Sequence, residues 1–343
     1  MNVLSDYIPQ SVNSGAWLTA YTLNELMVRI PGQRIVLPIC SLGTPFDELA
    51  RLGEFVLPPL YHEALDAQLQ EDIIARIQRC FPYYAGTCEA SNCTATVEVV
   101  ELPRARLAPP RKPRVLSFSV DTAVEQHGPH LPLGTDTIQS YLVLSHLAAE
   151  IDGFVIGPPV EYGHLTWGLP FGMSIDITPT LLTNYVTGFA NAMQSWLQPE
   201  AMYVVDVHGS IVHRTAIIDG LKASSVERFA FRWLYDPLVE FAGERGDQHA
   251  GGVETAMVEL ASPELIDRRW WPARIDELAT QQMDLATAVD LTPDLTRFVE
   301  HVEARSLNGI VGEVRNYYNV DAPTMLARML ELTRADLKTL AGA

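Results

Sequence analysis

Glu125-Gln-His-Gly-Pro-His-Leu-Pro-Leu-Gly-Thr-Asp136 decides how the rest of the chain is read. Ahead of it, Arg114-Val-Leu-Ser-Phe-Ser-Val120 is a short apolar run of β type. Behind it, residues 137–150 place Ile138, Leu142, Leu144, Leu147 and Ala148 at near-helical spacing. The succession is strand, stiff loop, helix. Glu125 and His127 are two apart, so an extended chain points both to one side. Asp136 stands where a helix N-cap belongs, with Gln139 three residues on, as in a capping box. Gly128, Pro129, Pro132 and Gly134 stiffen the loop between them. Singly, these residues read as an ordinary cap or turn. Together they bring a Glu, a His and an Asp to the carboxyl end of one strand, a ligand set suited to Zn or Mn.

From residue 114 onward, strand and helix patterns alternate, which argues for a mainly parallel sheet covered on both faces, a three-layer α/β/α arrangement. Strands are expected at Gly153-Phe-Val-Ile156, Ala201-Met-Tyr-Val-Val-Asp-Val207 and Arg228-Phe-Ala-Phe-Arg-Trp-Leu234. Helices are expected over 179–197, from 215, from about 250 to 261, and over 323–340. Residues 1–113 form an N-terminal α+β extension with strand patterns at 34–39 and 94–102 and a helical face between 61 and 81. The Pro/Arg-rich stretch 104–113 reads as a linker to the domain 114–343. Inside the extension, Arg34-Ile-Val-Leu-Pro-Ile followed by Phe55-Val-Leu-Pro-Pro echoes Arg114-Val-Leu-Ser-Phe-Ser followed by Phe154-Val-Ile-Gly-Pro-Pro. A degenerate partial repeat and chance similarity of strands both fit. No catalysis is assigned to it.

The 343 residues are 48% hydrophobic and 19% charged, with a net charge of −18, which disfavours nucleic acid or an anionic membrane as partner. No apolar run approaches the ~20 residues of a membrane span, and the first residues lack the pattern of a signal peptide. A cytoplasmic location is expected. Cys40, Cys80, Cys88 and Cys93 form no C-x-x-C pair and read as reduced structural thiols.

The segment from Glu125 to Asp136 resembles, nearly letter for letter, the first metal-binding motif of the creatininase (creatinine amidohydrolase) family, E-x-H-G-P-H-L-P-L-x-T-D. Asp206-Val-His-Gly-Ser-Ile211 is similar to the family's N-G-H-G-G-N, with the histidine and first glycine kept and both asparagines lost. His249-Ala-Gly-Gly-Val-Glu-Thr255 resembles H-A-G-x-x-E-T, and residues 161–175 partly match the family's Y-G…F-P-G-T-I-S stretch, with a Gly, Trp and aromatic content that suits a loop over a small polar substrate. The resemblance covers about two-thirds of the chain. It implies a creatininase-like fold with two divalent ions, Zn, Mn or Fe, held by Glu125, His127, Asp136, His208 and Glu254. Asp136 would bridge, Glu125 and His208 completing one ion and His127 and Glu254 the other. His249 would handle the proton or polarise substrate, and His130, Tyr162, His164, Trp167 and Ser210 would face the substrate.

The activity so implied is metal-dependent hydrolysis of a small non-peptide amide, lactam or formamide C–N bond. The alternatives are a hydrolase of a cyclic ketone or sugar-derived metabolite, and an inert protein keeping the fold for binding or assembly. The resemblance also implies a homo-oligomer, with a hexamer common in the family, acting on a small-molecule substrate.

Overall fold

The computed structural model describes residues 34–45, 48–49, 51–53, 55–80, 96–104, 112–165, 167–244 and 246–342. Arg34–Cys40 (β1) is apolar on both faces and buried beyond its first residue, as suits the middle of a parallel sheet. Phe55–Val56 (β2), Leu60–Tyr61 (β3) and Thr96–Glu101 (β4) all pair with it in parallel. Between β3 and β4 lies Ala67–Cys80 (α1), which buries Leu69, Ile73 and Ile77 at helical spacing. This helix starts later than the apolar pattern suggests. Tyr61 belongs to a strand, and the Asp66 carboxylate accepts from the Leu69 amide at 2.8 Å, capping the first turn.

The second sheet begins with Val115–Ser119 (β5), followed by Thr135–Glu150 (α2), Phe154–Ile156 (β6) and Pro179–Leu197 (α3). It continues with Ala201–Asp206 (β7), Ile211–Ala223 (α4) and Phe229–Trp233 (β8). The order is β6-β5-β7-β8, and every pairing is parallel. Side chains of β7 alternate between two cores, as a strand's period of two requires. Met202 and Val204 pack with α3 and α4 on one face, while Tyr203 and Val205 pack on the other. That opposite layer holds α2, Gly252–Ala261 (α6, after the short α5, Tyr235–Val239) and the closing helix Ala322–Gly342. The three-layer α/β/α expectation holds. Asp247–His249 (β9) pairs antiparallel with Val311–Gly312 (β10) beside α6.

Helix α3 has the bounds read from the sequence. Thr178 accepts from the Leu181 amide and Pro179 opens the first turn. Helix α4 starts four residues earlier than expected, because Ser210 caps it by accepting from the His213 amide. Three helices without a sequence signature, Ile275–Thr280 (α7), Leu285–Leu291 (α8) and Leu295–Arg305 (α9), fill the stretch before β10; the closing helix is therefore α10. Most of the linker, residues 105–111, lies outside the described residues, as do Cys88 and Cys93; Cys40 is a free, buried thiol. Among the described residues no helix is long and apolar enough to cross a membrane.

The first sheet repeats the pairing of the second. Ile35 faces Phe55 as Val115 faces Phe154, and Cys40 faces Tyr61 as Val120 faces Val160. On the other side Ile35 faces Val97 as Val115 faces Ala201, with a helix preceding the partner strand each time. The extension's core is continuous with that of the main sheet: Leu37, Tyr61 and Ile73 belong to one apolar cluster with Phe118, Tyr185 and Phe189. Tyr162 donates its hydroxyl to the Pro58 carbonyl at 2.6 Å across the same boundary. Ile73→Ala, which empties space in this shared cluster, should lower stability by ~2–5 kcal/mol in one cooperative denaturant transition. Two separate transitions would show that the extension folds on its own.

Candidate metal centre

The loop after β5, the turn after β7 and the first turn of α6 meet beyond the carboxyl edge of the second sheet, where open parallel sheets bind ligands. They bring Glu125, His127, Asp136, His208, His249 and Glu254 together, all buried. Ligand atoms of Glu125, Asp136 and His208 lie within 4.8 Å of one another, as do those of His127, Asp136 and Glu254. Asp136 is common to both groups. A third group joins Glu125, His127 and His249.

Asp136 is not an N-cap. Helix α2 starts at Thr135 with Gly134 before it, no side chain caps that end, and Asp136 sits one residue into the first turn. Its carboxylate is drawn into the cluster instead. Oδ1 is 3.4 Å from His127 Nε2 and Oδ2 is 3.2 Å from His208 Nδ1. The Thr122 hydroxyl lies 2.6 Å from both Asp136 Oδ2 and Glu125 Oε2, holding two carboxylates side by side.

The hydrogen-bond pattern tests whether cations fit. His127 Nδ1 is 3.0 Å from the Glu125 carbonyl, which only an N–H can satisfy, so a neutral ring turns its Nε2 lone pair towards two carboxylates. That Nε2 has no hydrogen-bond partner, and His208 turns its Nδ1 to Glu125 Oε2 at 3.1 Å and to Asp136 Oδ2 at 3.2 Å. A lone pair facing Asp136 and Glu254 in a buried site calls for positive charge between them. Where no cation stands there, a proton takes that place: burial pushes the His127 imidazole down, but the carboxylates of Asp136 and Glu254 override this and hold it up at about 10. Burial raises Glu254, against the pull of His127. Zn, Mn and Fe all suit such a nitrogen and oxygen set, so the residues fit the ions that the sequence motifs imply.

His249 takes a different place. Its Nε2 is 2.6 Å from the Gln126 carbonyl, which fixes Nε2–H as donor and leaves the Nδ1 lone pair 3.7 Å from Glu125 Oε1. Burial, then the positive charge of His127, lowers its pKa to about 4.

A cavity of about 330 Å³ opens above this floor. Trp167 and Ser210 line it; Ser210 is also the cap of α4. His130, Tyr162 and His164 do not. The His130 ring stacks on Trp271 and its Nε2 donates to the Thr255 hydroxyl at 2.9 Å, since that hydroxyl itself donates to the Gly251 carbonyl. Tyr162 binds the N-terminal sheet, as above. His164 belongs to a chain behind His208: the His213 ring stands edge-on to His208, donates from Nε2 to the Val120 carbonyl, and accepts the His164 amide at Nδ1. Burial and the nearby His208 lower His213 to about 3, in keeping with this neutral tautomer. His164 Nδ1 then meets Asp176, which is clamped by Arg76 of α1.

Residues absent from the sequence reading complete the cavity: Gln248, Ile211 and Val212 on one side, and Val289, Thr292 and Pro293 at the end of α8 on the other. The Trp167 indole donates to the Thr292 hydroxyl at 2.8 Å, joining the loop to that wall.

Comparison with known proteins follows the same residues. The family model described as Creatininase, creatinine amidohydrolase, matches residues 122–333, over half of the chain. A mycofactocin precursor peptide peptidase of Mycobacterium ulcerans is 27% identical over 217 residues, covering 61% of this chain and 79% of the relative. A putative creatinine amidohydrolase from Bacteroides fragilis superposes with a TM-score of 0.51 at 18% identity, covering 68% of this chain and 91% of that one. A creatininase crystal structure superposes at 0.50 and 14% identity, with 66% and 91% covered. At those identities the two superpositions establish the fold.

Two variants test the centre by metal content alone. Asp136→Ala should lose ions from both groups, read by elemental analysis after dialysis; full occupancy would remove Asp136 from the bridging place. Thr122→Val should weaken metal binding ~10–100-fold in a chelator competition, with Thr122→Ser restoring it. An unchanged Thr122→Val titration would leave the hydroxyl a bystander.

Proposed function

This chain belongs to the creatininase family, and on that premise we propose that it is a two-metal hydrolase cutting an amide-type C–N bond. The observation that carries the reading is the pair of ligand groups sharing Asp136 on the floor of an open cavity. Glu125 and His208 would complete one ion and His127 and Glu254 the other. When bound, such ions supply Lewis acidity, polarising a substrate carbonyl and acidifying water towards neutrality.

The chain's own groups do the rest. The Thr122 hydroxyl, 2.6 Å from both Glu125 Oε2 and Asp136 Oδ2, ties the shared carboxylate to that of Glu125. The Gln126 carbonyl fixes the His249 tautomer, leaving Nδ1 the atom able to take a proton from water and return it to the departing nitrogen. Ser210, committed to capping α4, orients that helix rather than the substrate.

The small non-peptide amide, lactam or formamide expected from the sequence remains the first substrate class. A peptide amide is the second reading, favoured by the mycobacterial relative whose name is that of a peptidase. An inert scaffold has no physical need of three buried carboxylates gathered on His127 Nε2 and His208 Nδ1, which speaks against that reading. A panel of lactams, formamides, cyclic ketones and short peptides, run on protein loaded with Zn, Mn or Fe, tests the proposal. C–N cleavage under no metal would end it.

With a substrate from that panel, His249→Ala should keep its metal and its fold yet lose about 10²–10⁴ in turnover, as for a proton-transfer group. Loss of metal would make His249 a ligand, and unchanged turnover would leave it structural.

A further inference from the structure

The cavity changes character from floor to mouth. Its floor carries the carboxylates of Glu125, Asp136 and Glu254, each nearly inaccessible. Its mouth is lined by Ile211 and Val212, the first two residues of α4, facing Val289 and Pro293 at the end of α8. Ile211 is 69% exposed, Val212 46% and Val289 56%, and these are among the few large apolar side chains the described residues leave in water. Three such residues scattered over a surface would need no explanation, but three gathered on one opening do. Among the described residues no lysine or arginine lines the cavity. An anionic group on the ligand would therefore lose its water at the mouth without gaining a cationic partner there.

We infer that the mouth between α4 and α8 is a subsite for an apolar, uncharged substituent of the substrate, attached next to the bond the floor would cut. The inference rests on the metal-centre reading above and adds the substrate's chemical class. The substituent displaces water from Ile211, Val212 and Val289 when it seats, and Trp167, fixed to Thr292, closes the side of the slot. A bare polar lactam or formamide would leave this apolar surface wet. An amide bearing an alkyl or aryl arm would cover it.

A hydroxamate series separates the two parts, because the head chelates metal and the tail samples the mouth. The probes are acetohydroxamate, butano-, hexano- and 3-phenylpropanohydroxamate, and a monosuccinyl hydroxamate whose tail ends in carboxylate. All are titrated into the metal-loaded full chain by calorimetry. Affinity should rise up to about fourfold per methylene, the transfer limit for full burial, and the carboxylate-tailed probe should bind at least ~10-fold worse than the butano compound. In the Ile211→Ser, Val289→Ser double variant the gain with tail length should collapse while acetohydroxamate binds as before. That retained binding also shows that the variant is folded. A flat series in the native protein, or a slope the double variant leaves intact, would overturn the subsite. A change in molar mass of the double variant by light scattering would reassign these side chains to contact between copies of the chain. If acetohydroxamate itself failed to bind, the metal centre would fall first and the subsite with it.

Discussion

Three carboxylates buried against two imidazoles, with no lysine or arginine among the described residues lining the cavity they floor, set a charge that those residues alone do not neutralise. Each carboxylate was taken out of water at a cost of several kcal/mol, which only close positive charge offsets. Protons on His127 and His208 answer part of it, and divalent cations answer all of it. The neighbouring architecture serves this requirement. The Pro/Gly-stiffened loop after β5 holds two ligands, α2 delivers the shared one from its first turn, and the bond from Glu254 to the Ala250 amide keeps the last at the start of α6. Asp247, reaching from β9 to the Val253 amide and steadied by Asn316, caps that helix where Gly251 has no side chain to offer.

Behind this centre the polar side chains run in series rather than in parallel. His213, His164, Asp176 and Arg76 each satisfy the next, so that the ring beside His208 is braced from a helix of the N-terminal sheet. A histidine with both nitrogens engaged by the backbone has one tautomer and one orientation. It suits a prop.

Much of this was legible beforehand. Strands β1 and β4 to β8 and helix α3 follow from apolar periodicity and from Thr178-Pro179, and the six central residues follow from three short motifs whose spacing survives in the chain. What escaped had no periodic or motif signal. Thr122 is one hydroxyl at the end of a strand, and only its distances to Glu125 and Asp136 mark it. Asp136 looked like a cap because a short acid before an apolar helix usually is one; the pull of two imidazoles outweighed the helix end. The family resemblance points His130, Tyr162 and His164 towards the substrate, yet each finds a partner inside the fold. Helices α8 and α9 were invisible because they bury only a narrow stripe, Ala288, Leu291, Phe298 and Val302, in a small core of their own. The mouth of the cavity depends on them.

The matching register of the two sheets has a consequence for how the protein behaves on dilution. Helix α3 is covered on its outer side by Tyr61 and by the backbone at Ala64, which presses so closely on Gly188 that no larger residue fits there. A surface of that kind, if met by a second polypeptide, would come apart as the concentration fell. Here it is met by a tethered half-sheet whose local concentration never changes. The shielding of α3, and with it the brace from Arg76 to His208, is therefore a unimolecular property, as secure in a nanomolar assay as in a crowded cell.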